Sequence, residues 1–163
     1  MEGEPPAGYR PNVGVCLLNS INEVFVASRL NLPGAWQMPQ GGVEEGEEPR
    51  AAVIRELQEE TGIKSAEIVA EVPQWLTYDF APHVKEKLSR LWGREWKGQA
   101  QKWFLLKFIG DENEINLAGD GTEAAEFSEW KWMQPEQVIE HAVDNKRPVY
   151  EQVFKTFAPY INS

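Results

Sequence analysis

Glu56, Glu59 and Glu60 are the residues through which this chain could do chemistry. They lie in GGVEEGEEPRAAVIRELQEETGI (41–63), where Pro49 suits a first helical turn and Gly62 a left-handed closing position. On a helix between them the three glutamates fall at i, i+3 and i+4 and gather on one face. Val53, Ile54 and Leu57 form an apolar face beside them. Carboxylates at that spacing repel, and in the last turn Glu59 and Glu60 oppose the helix dipole. A hard divalent cation such as Mg2+ resolves the conflict, because it wants several carboxylate oxygens converging on one point. A solvated acidic helix would account for the acids alone, but not for the spacing of Gly41, Glu47 and Arg55 around them. Arg55, four residues from Glu59 and eight from Glu47, is placed to hold those carboxylates rather than to touch substrate. The pair Gly41–Gly42 has no Cβ to keep backbone away from a phosphate.

The segment fits the pattern G-x5-E-x7-R-E-U-x-E-E-x-G-U, with U aliphatic. Gly41, Glu47, Arg55, Glu56, Leu57, Glu59, Glu60, Gly62 and Ile63 fill every fixed position. The chain therefore resembles the Nudix hydrolases. That resemblance implies hydrolysis of a nucleoside diphosphate linked to another moiety, with Mg2+ or Mn2+ as cofactor. It also implies that one of the glutamates can serve as general base, without saying which. Relatives draw a further metal carboxylate from outside the box, and the A-E-F-x-x-W pattern assigns it to Glu126, with Glu123 and Glu129 nearby. GAWQMPQGG (34–42) and GQAQKWFLLKF (98–108) resemble both plant asymmetric diadenosine tetraphosphate (Ap4A) hydrolases and bacterial RNA pyrophosphohydrolases. The stretch WLTYDFAP and the longer segment after it look like the plant enzymes. By that likeness Tyr78, read as lying in a polar, Pro-bounded loop, is expected to stack an adenine. Gln40, Lys85 and Lys102 are the expected phosphate contacts.

The elements that must position these groups follow from periodicity. Residues 12–19 and 23–29 read as strands joined by a short turn, followed by a Pro/Gly-punctuated loop into the acidic helix. Residues 66–72, 101–110 and 127–133 read as further strands, with Trp130 and Trp132 on one face. Helices are expected from Pro135 and from Pro148 towards Phe157. Strands around a central helix, with helices at the end, suggest an α/β fold, an α/β/α sandwich around a mixed sheet, and the Nudix fold is that arrangement. Trp36, Trp103, Trp130 and Trp132 are expected in the core. Residues 1–7 are expected to be a flexible N-terminal segment, and 8–163 a single domain.

Composition narrows the partners. The 163 residues suit one domain, and their 42% hydrophobic content with seven Trp suits a folded core. A net charge of −10 argues against DNA and membrane surfaces. The positive charges cluster instead between Lys85 and Lys107, as a chelated polyphosphate would require. The single Cys16 sits in an apolar strand, which excludes an internal disulfide and fits the cytosol. His83 and His141 are isolated and form neither a zinc site nor a histidine nucleophile pair. The chain is expected to act as a monomer on a small dinucleoside polyphosphate, giving ATP and AMP from Ap4A. An RNA 5′ end is the alternative substrate. A nucleotide-sensing module without turnover is the remaining alternative, disfavoured by the full glutamate set.

Overall fold

A computed structural model describes residues 4–30, 34–117 and 127–162. Its centre is a parallel pair that no hairpin could make: β1 (Tyr9–Leu18) runs beside β7 (Gly98–Phe108) in unbroken register, from Tyr9 opposite Gly98 to Leu18 opposite Lys107. Both strands are almost continuously buried, as expected for strands covered on both faces. β2 (Val24–Arg29) meets β1 at Leu18–Val24 and then pairs with β3 (Trp36–Gln37) and β8 (Phe127–Met133). The other end of β1 is taken by β4 (Gln40–Gly42), with Gly41 opposite Val13. β7 is long enough to be shared: β5 (Ala66–Glu71) pairs with its second half and β6 (Leu76–Asp79) with its first. These eight strands form one mixed sheet.

Alternation along β1 and β7 divides the core in two. Val13, Val15, Leu17, Phe104 and Leu106 pack on α1 (Pro49–Thr61) through Ala52, Val53 and Leu57. Cys16, Leu18, Trp103 and Leu105 face the other way, against α3 (Pro135–His141) and α4 (Arg147–Ile161). The expected sandwich is therefore the observed one. Helix α1 begins with Pro49 in its first turn and closes on Gly62 at φ 73°, as the sequence implied.

Several expectations need correction. Ile54 is exposed; the buried stripe of α1 is Ala52, Val53, Glu56, Leu57, Glu60 and Thr61, so two glutamates belong to the buried side. Tyr78 lies in a strand, β6, and not in a loop. The charged segment after it is a helix, α2 (Pro82–Trp92), closed by Gly93 at φ 68°. Its signals were in the sequence: Pro82 at the first turn, Val84, Leu88 and Trp92 at four-residue spacing, then glycine. The density of lysine and arginine masked them. Trp103 is fully buried, but Trp130 and Trp132 are half-buried over Phe25, at 5.7 Å each. Cys16 is buried core, and burial pushes its thiol far above its ordinary range.

Gly14 allows the central pair to close: a Cβ there would lie 2.4 Å from the Trp103 ring. Gly14→Ala should cost about 1–3 kcal/mol, the usual penalty of overpacking. A urea midpoint equal to that of the wild type would contradict this packing.

Candidate active site

The candidate site is built on one arginine. Arg55 is in the second turn of α1 and looks back towards the turn before it and to β4. Its Nε and Nη2 bind both oxygens of Glu47, at 2.8 and 2.9 Å. Nη2 also donates to the Gly42 carbonyl at 2.9 Å, while Nη1 reaches Glu56 at 2.9 Å and Glu59 at 3.1 Å. All five guanidinium donors are thus engaged, which a lysine could not reproduce. The guanidinium holds the Glu47 carboxyl below its ordinary range. It ties the loop, the strand and two of the acids into one unit, the positioning role expected from its spacing.

Glu56 and Glu60, one helical turn apart, line a cavity of about 950 Å³ at the end of β1. Glu59 turns to Arg55 and lies outside that lining. The carboxylate of Glu56 passes directly over Gly41, where a Cβ would sit 2.1 Å from its Cδ. The missing side chain of Gly41 therefore makes room for the Glu56 carboxylate, while Gly41 itself lines the cavity. At Gly42 a Cβ would approach the Arg10 guanidinium to 2.8 Å.

The same cavity is lined by the cations Arg10, Arg29, Lys87 and Lys146. Lys146 closes the 3-10 turn before α4 and is 8% exposed. Its Nζ donates to Gln37 at 3.1 Å and Gln40 at 3.0 Å. Burial lowers its pKa to about 8, the charge of Arg29 adds to the fall, and Glu60 opposes it. Arg10 stacks its guanidinium 4.3 Å over the Trp92 ring, joining α2 to the sheet. Trp36, Tyr78, Phe80 and Trp92 supply the aromatic part of the wall.

Of the residues expected at the site, the structure brings Gln40, Gly41, Gly42, Glu56, Glu60 and Tyr78 to this cavity. Lys102 is not brought there: buried, it is held by the Pro73 carbonyl at 2.8 Å and Glu71 at 3.2 Å. Lys85 faces Glu95 at 3.1 Å on the outer side of α2. Both lie on elements flanking the cavity but point away from it, a distinction that composition cannot make. Trp36, expected in the core, lines the cavity with Lys131 over its ring. Glu126 and Glu123 lie outside the described residues. Arg10, Asn12, Arg29, Gln99 and Lys146 were not singled out in the sequence. The signal for some of them was there: Arg10-x-Asn12 and Gln99-x-Gln101 carry polar side chains at the period-2 positions of strands that are otherwise apolar.

The NUDIX domain profile matches residues 8–155. The chain belongs to the Nudix family. Nudix hydrolase 25 of Arabidopsis thaliana is 66% identical over 164 aligned positions, covering 99% of this chain and 93% of that protein. An RNA pyrophosphohydrolase of Cereibacter sphaeroides is 48% identical, over 94% of this chain and 93% of its own. Among solved structures, a Caenorhabditis elegans Ap4A hydrolase binary complex aligns with TM-score 0.65 at 20% identity, covering 92% of this chain and 98% of that one. An Escherichia coli dihydroneopterin triphosphate pyrophosphohydrolase aligns with TM-score 0.68 at 20% identity, covering 88% and 95%. At such identity these two support the fold alone.

The chain is thus a Nudix hydrolase, a family acting on pyrophosphate bonds with divalent cations. The donor chemistry here fits such an ion, since Glu56 and Glu60 offer hard oxygens to the cavity with Glu59 beside them. Among the described residues no three acids, histidines or cysteines are already gathered into a cage. When bound, the cation supplies charge neutralisation and a more acidic water. Arg55 fixes Glu56 and Glu59 by hydrogen bonds, and the cations lining the cavity bring positive charge to the same space. No helix among the described residues is long and apolar enough to cross a membrane.

Two outcomes follow from this geometry. Gly41→Ala should keep its melting temperature within a few degrees, because the flexible Glu56 side chain can move aside. Its turnover should fall about 10–100-fold, as for other disturbances of a metal ligand's support; full turnover would show that the Glu56 position is immaterial. The second concerns acid stability. The carboxyl of Glu47 titrates below its ordinary value of 4.5 when folded. It therefore contributes stability above that value, and the contribution is lost as pH falls through the folded pKa. The melting-temperature gap between wild type and Glu47→Gln should be full at pH 6 and should narrow below pH ~4.5. A gap independent of pH would contradict the ion pair.

Proposed function

We propose that this chain hydrolyses Ap4A asymmetrically to ATP and AMP, with Mg2+ or Mn2+ held by Glu56, Glu59 and Glu60. We further propose that Glu126 adds a ligand and that one of these glutamates acts as base. The observation that carries the reading is the lining of the cavity. At about 950 Å³ it is at the upper end of small-ligand sites, and it combines two acids, four cations and several aromatic side chains. A polyphosphate between two nucleosides matches that set of chemistries: anhydride at the acids, phosphates at Arg10, Arg29, Lys87 and Lys146, a base at Trp36, Phe80 or Trp92. Among the described residues the acids lining the cavity are Glu56 and Glu60, both on α1, and one such cluster favours an off-centre cut of the substrate.

Removal of pyrophosphate from triphosphorylated RNA 5′ ends is the second reading, favoured by the 48% identity to the C. sphaeroides enzyme of that name. The net charge of −10 weighs against an extended RNA track beyond the cavity. A cytosolic monomer is part of the same proposal. Among the relatives, Nudix hydrolase 26 of A. thaliana, 64% identical, is described as chloroplastic, so the compartment is open to a direct localisation test.

Turnover of Ap4A and of triphosphorylated RNA, measured side by side with product chromatography at early times, decides between the readings. The expected result is faster use of Ap4A, with ATP and AMP in equal amounts. A dominant ADP peak would overturn the asymmetric cut, and preference for RNA would install the second reading.

A further inference from the structure

A hydrogen-bond chain of fixed direction ends at the Tyr78 hydroxyl. It starts at Trp103, whose indole nitrogen can only donate and does so to Gln101 Oε1 at 3.2 Å. Gln101 is thereby oriented, and its Nε2 donates to Asn12 Oδ1 at 2.9 Å. Asn12 Nδ2 in turn donates to Gln99 Oε1 at 2.9 Å, and Arg10, another obligatory donor, reaches that oxygen at 3.4 Å. Gln99 is left with its amide nitrogen towards Tyr78, and donates to the phenolic oxygen at 2.5 Å. Beside it, the Lys146 ammonium donates to Gln40 Oε1 at 3.0 Å. Reversing an amide at any of these links would set donor against donor, so the donor-only ends assign every orientation between them.

The register explains why this stripe exists. Asn12 stands opposite Gln101, Arg10 opposite Gln99, and Tyr78 opposite Gln99 on the other side. Alternate positions on three adjacent strands therefore share one face, running from the fully buried Trp103 to the cavity wall. The phenolic oxygen at its end accepts from Gln99, which leaves its own hydrogen to donate to a partner in the cavity that Tyr78 lines. Arg10 and Arg29 bring positive charge to the same place. The ring itself is edge-on to Phe80, at 6.1 Å and 85°.

We propose that Gln99, with Asn12, Gln101 and Trp103 behind it, is a positioning residue that fixes Tyr78 as a one-way donor to a phosphate oxygen of the substrate. Tyr78 is then a recognition group through its hydroxyl and not an adenine platform. The identity of the acceptor rests on the polyphosphate reading above; the polarity of the chain does not.

Gln99→Glu tests the idea with almost no change of shape. It keeps an oxygen for Asn12 and Arg10 but replaces the amide nitrogen by an acceptor, so the Tyr78 proton turns inward. Affinities for ATP, for inorganic tripolyphosphate and for adenosine are measured with Mg2+ in wild type, Tyr78→Phe, Gln99→Glu and the double variant. Each single variant should bind ATP and tripolyphosphate about tenfold or more weakly, as for a lost hydrogen bond to a charged group. Adenosine binding should be unchanged, and the double variant should be no worse than Tyr78→Phe alone. Additive losses, a harmless Tyr78→Phe, or a loss confined to adenosine would each overturn the proposal. If Gln99→Glu does not fold, Tyr78→Phe against the three probes decides it. Failure of the wild type to bind either phosphate probe would instead refute the polyphosphate reading, and with it the acceptor assigned here.

Discussion

Everything at the site depends on Arg55 neutralising carboxylates that would otherwise drive one another apart. Glu47, Glu56 and Glu59 share its guanidinium, and a backbone carbonyl of β4 takes the remaining donor. A partly buried group of like charges is costly without such a partner, and removing one member of the set leaves the rest uncompensated. The fork geometry matters as much as the charge, because five fixed directions determine where three carboxylates and a strand end must be. The arginine thus converts an acidic helix, unfavourable by itself, into a scaffold with two glutamates turned to the cavity.

The sheet sets the other half of the site. Parallel pairing of β1 with β7 places Arg10, Asn12 and Gly14 opposite Gln99, Gln101 and Trp103. On one face this gives a polar stripe ending at the cavity; on the other it gives the apolar surface that receives α1. Gly14 yields its side-chain space to Trp103, and Gly41 yields its own to Glu56. In both cases the close approach, and not a turn, requires the glycine.

Legibility in the sequence followed the range of the interactions. The helix α1, its two ends and the acid spacing were readable because all are local, and the role of Arg55 followed from residues four and eight positions away. Ile54 was misplaced because the buried stripe of α1 contains Glu56 and Glu60, which hydrophobicity assigns to the surface. The helix α2 and the strand β6 were missed because their partners lie far along the chain or, for α2, because its buried area is small. Lys102 and Lys85 were read as phosphate contacts from proximity in sequence, whereas strand alternation and the helical face decide where each ammonium points. Arg10, Gln99 and Lys146 come from three separate regions and meet only in the folded sheet, so no window of sequence could join them.

The central claim is that the carboxylates arranged by Arg55 hold the catalytic cation. Titration of the protein with Mn2+, following free ion by electron paramagnetic resonance, tests it without reference to any substrate. Wild type should bind Mn2+, and Glu56→Gln should bind it at least tenfold more weakly while retaining its fold by circular dichroism. Equal binding by the two proteins would contradict the account and place the cation elsewhere.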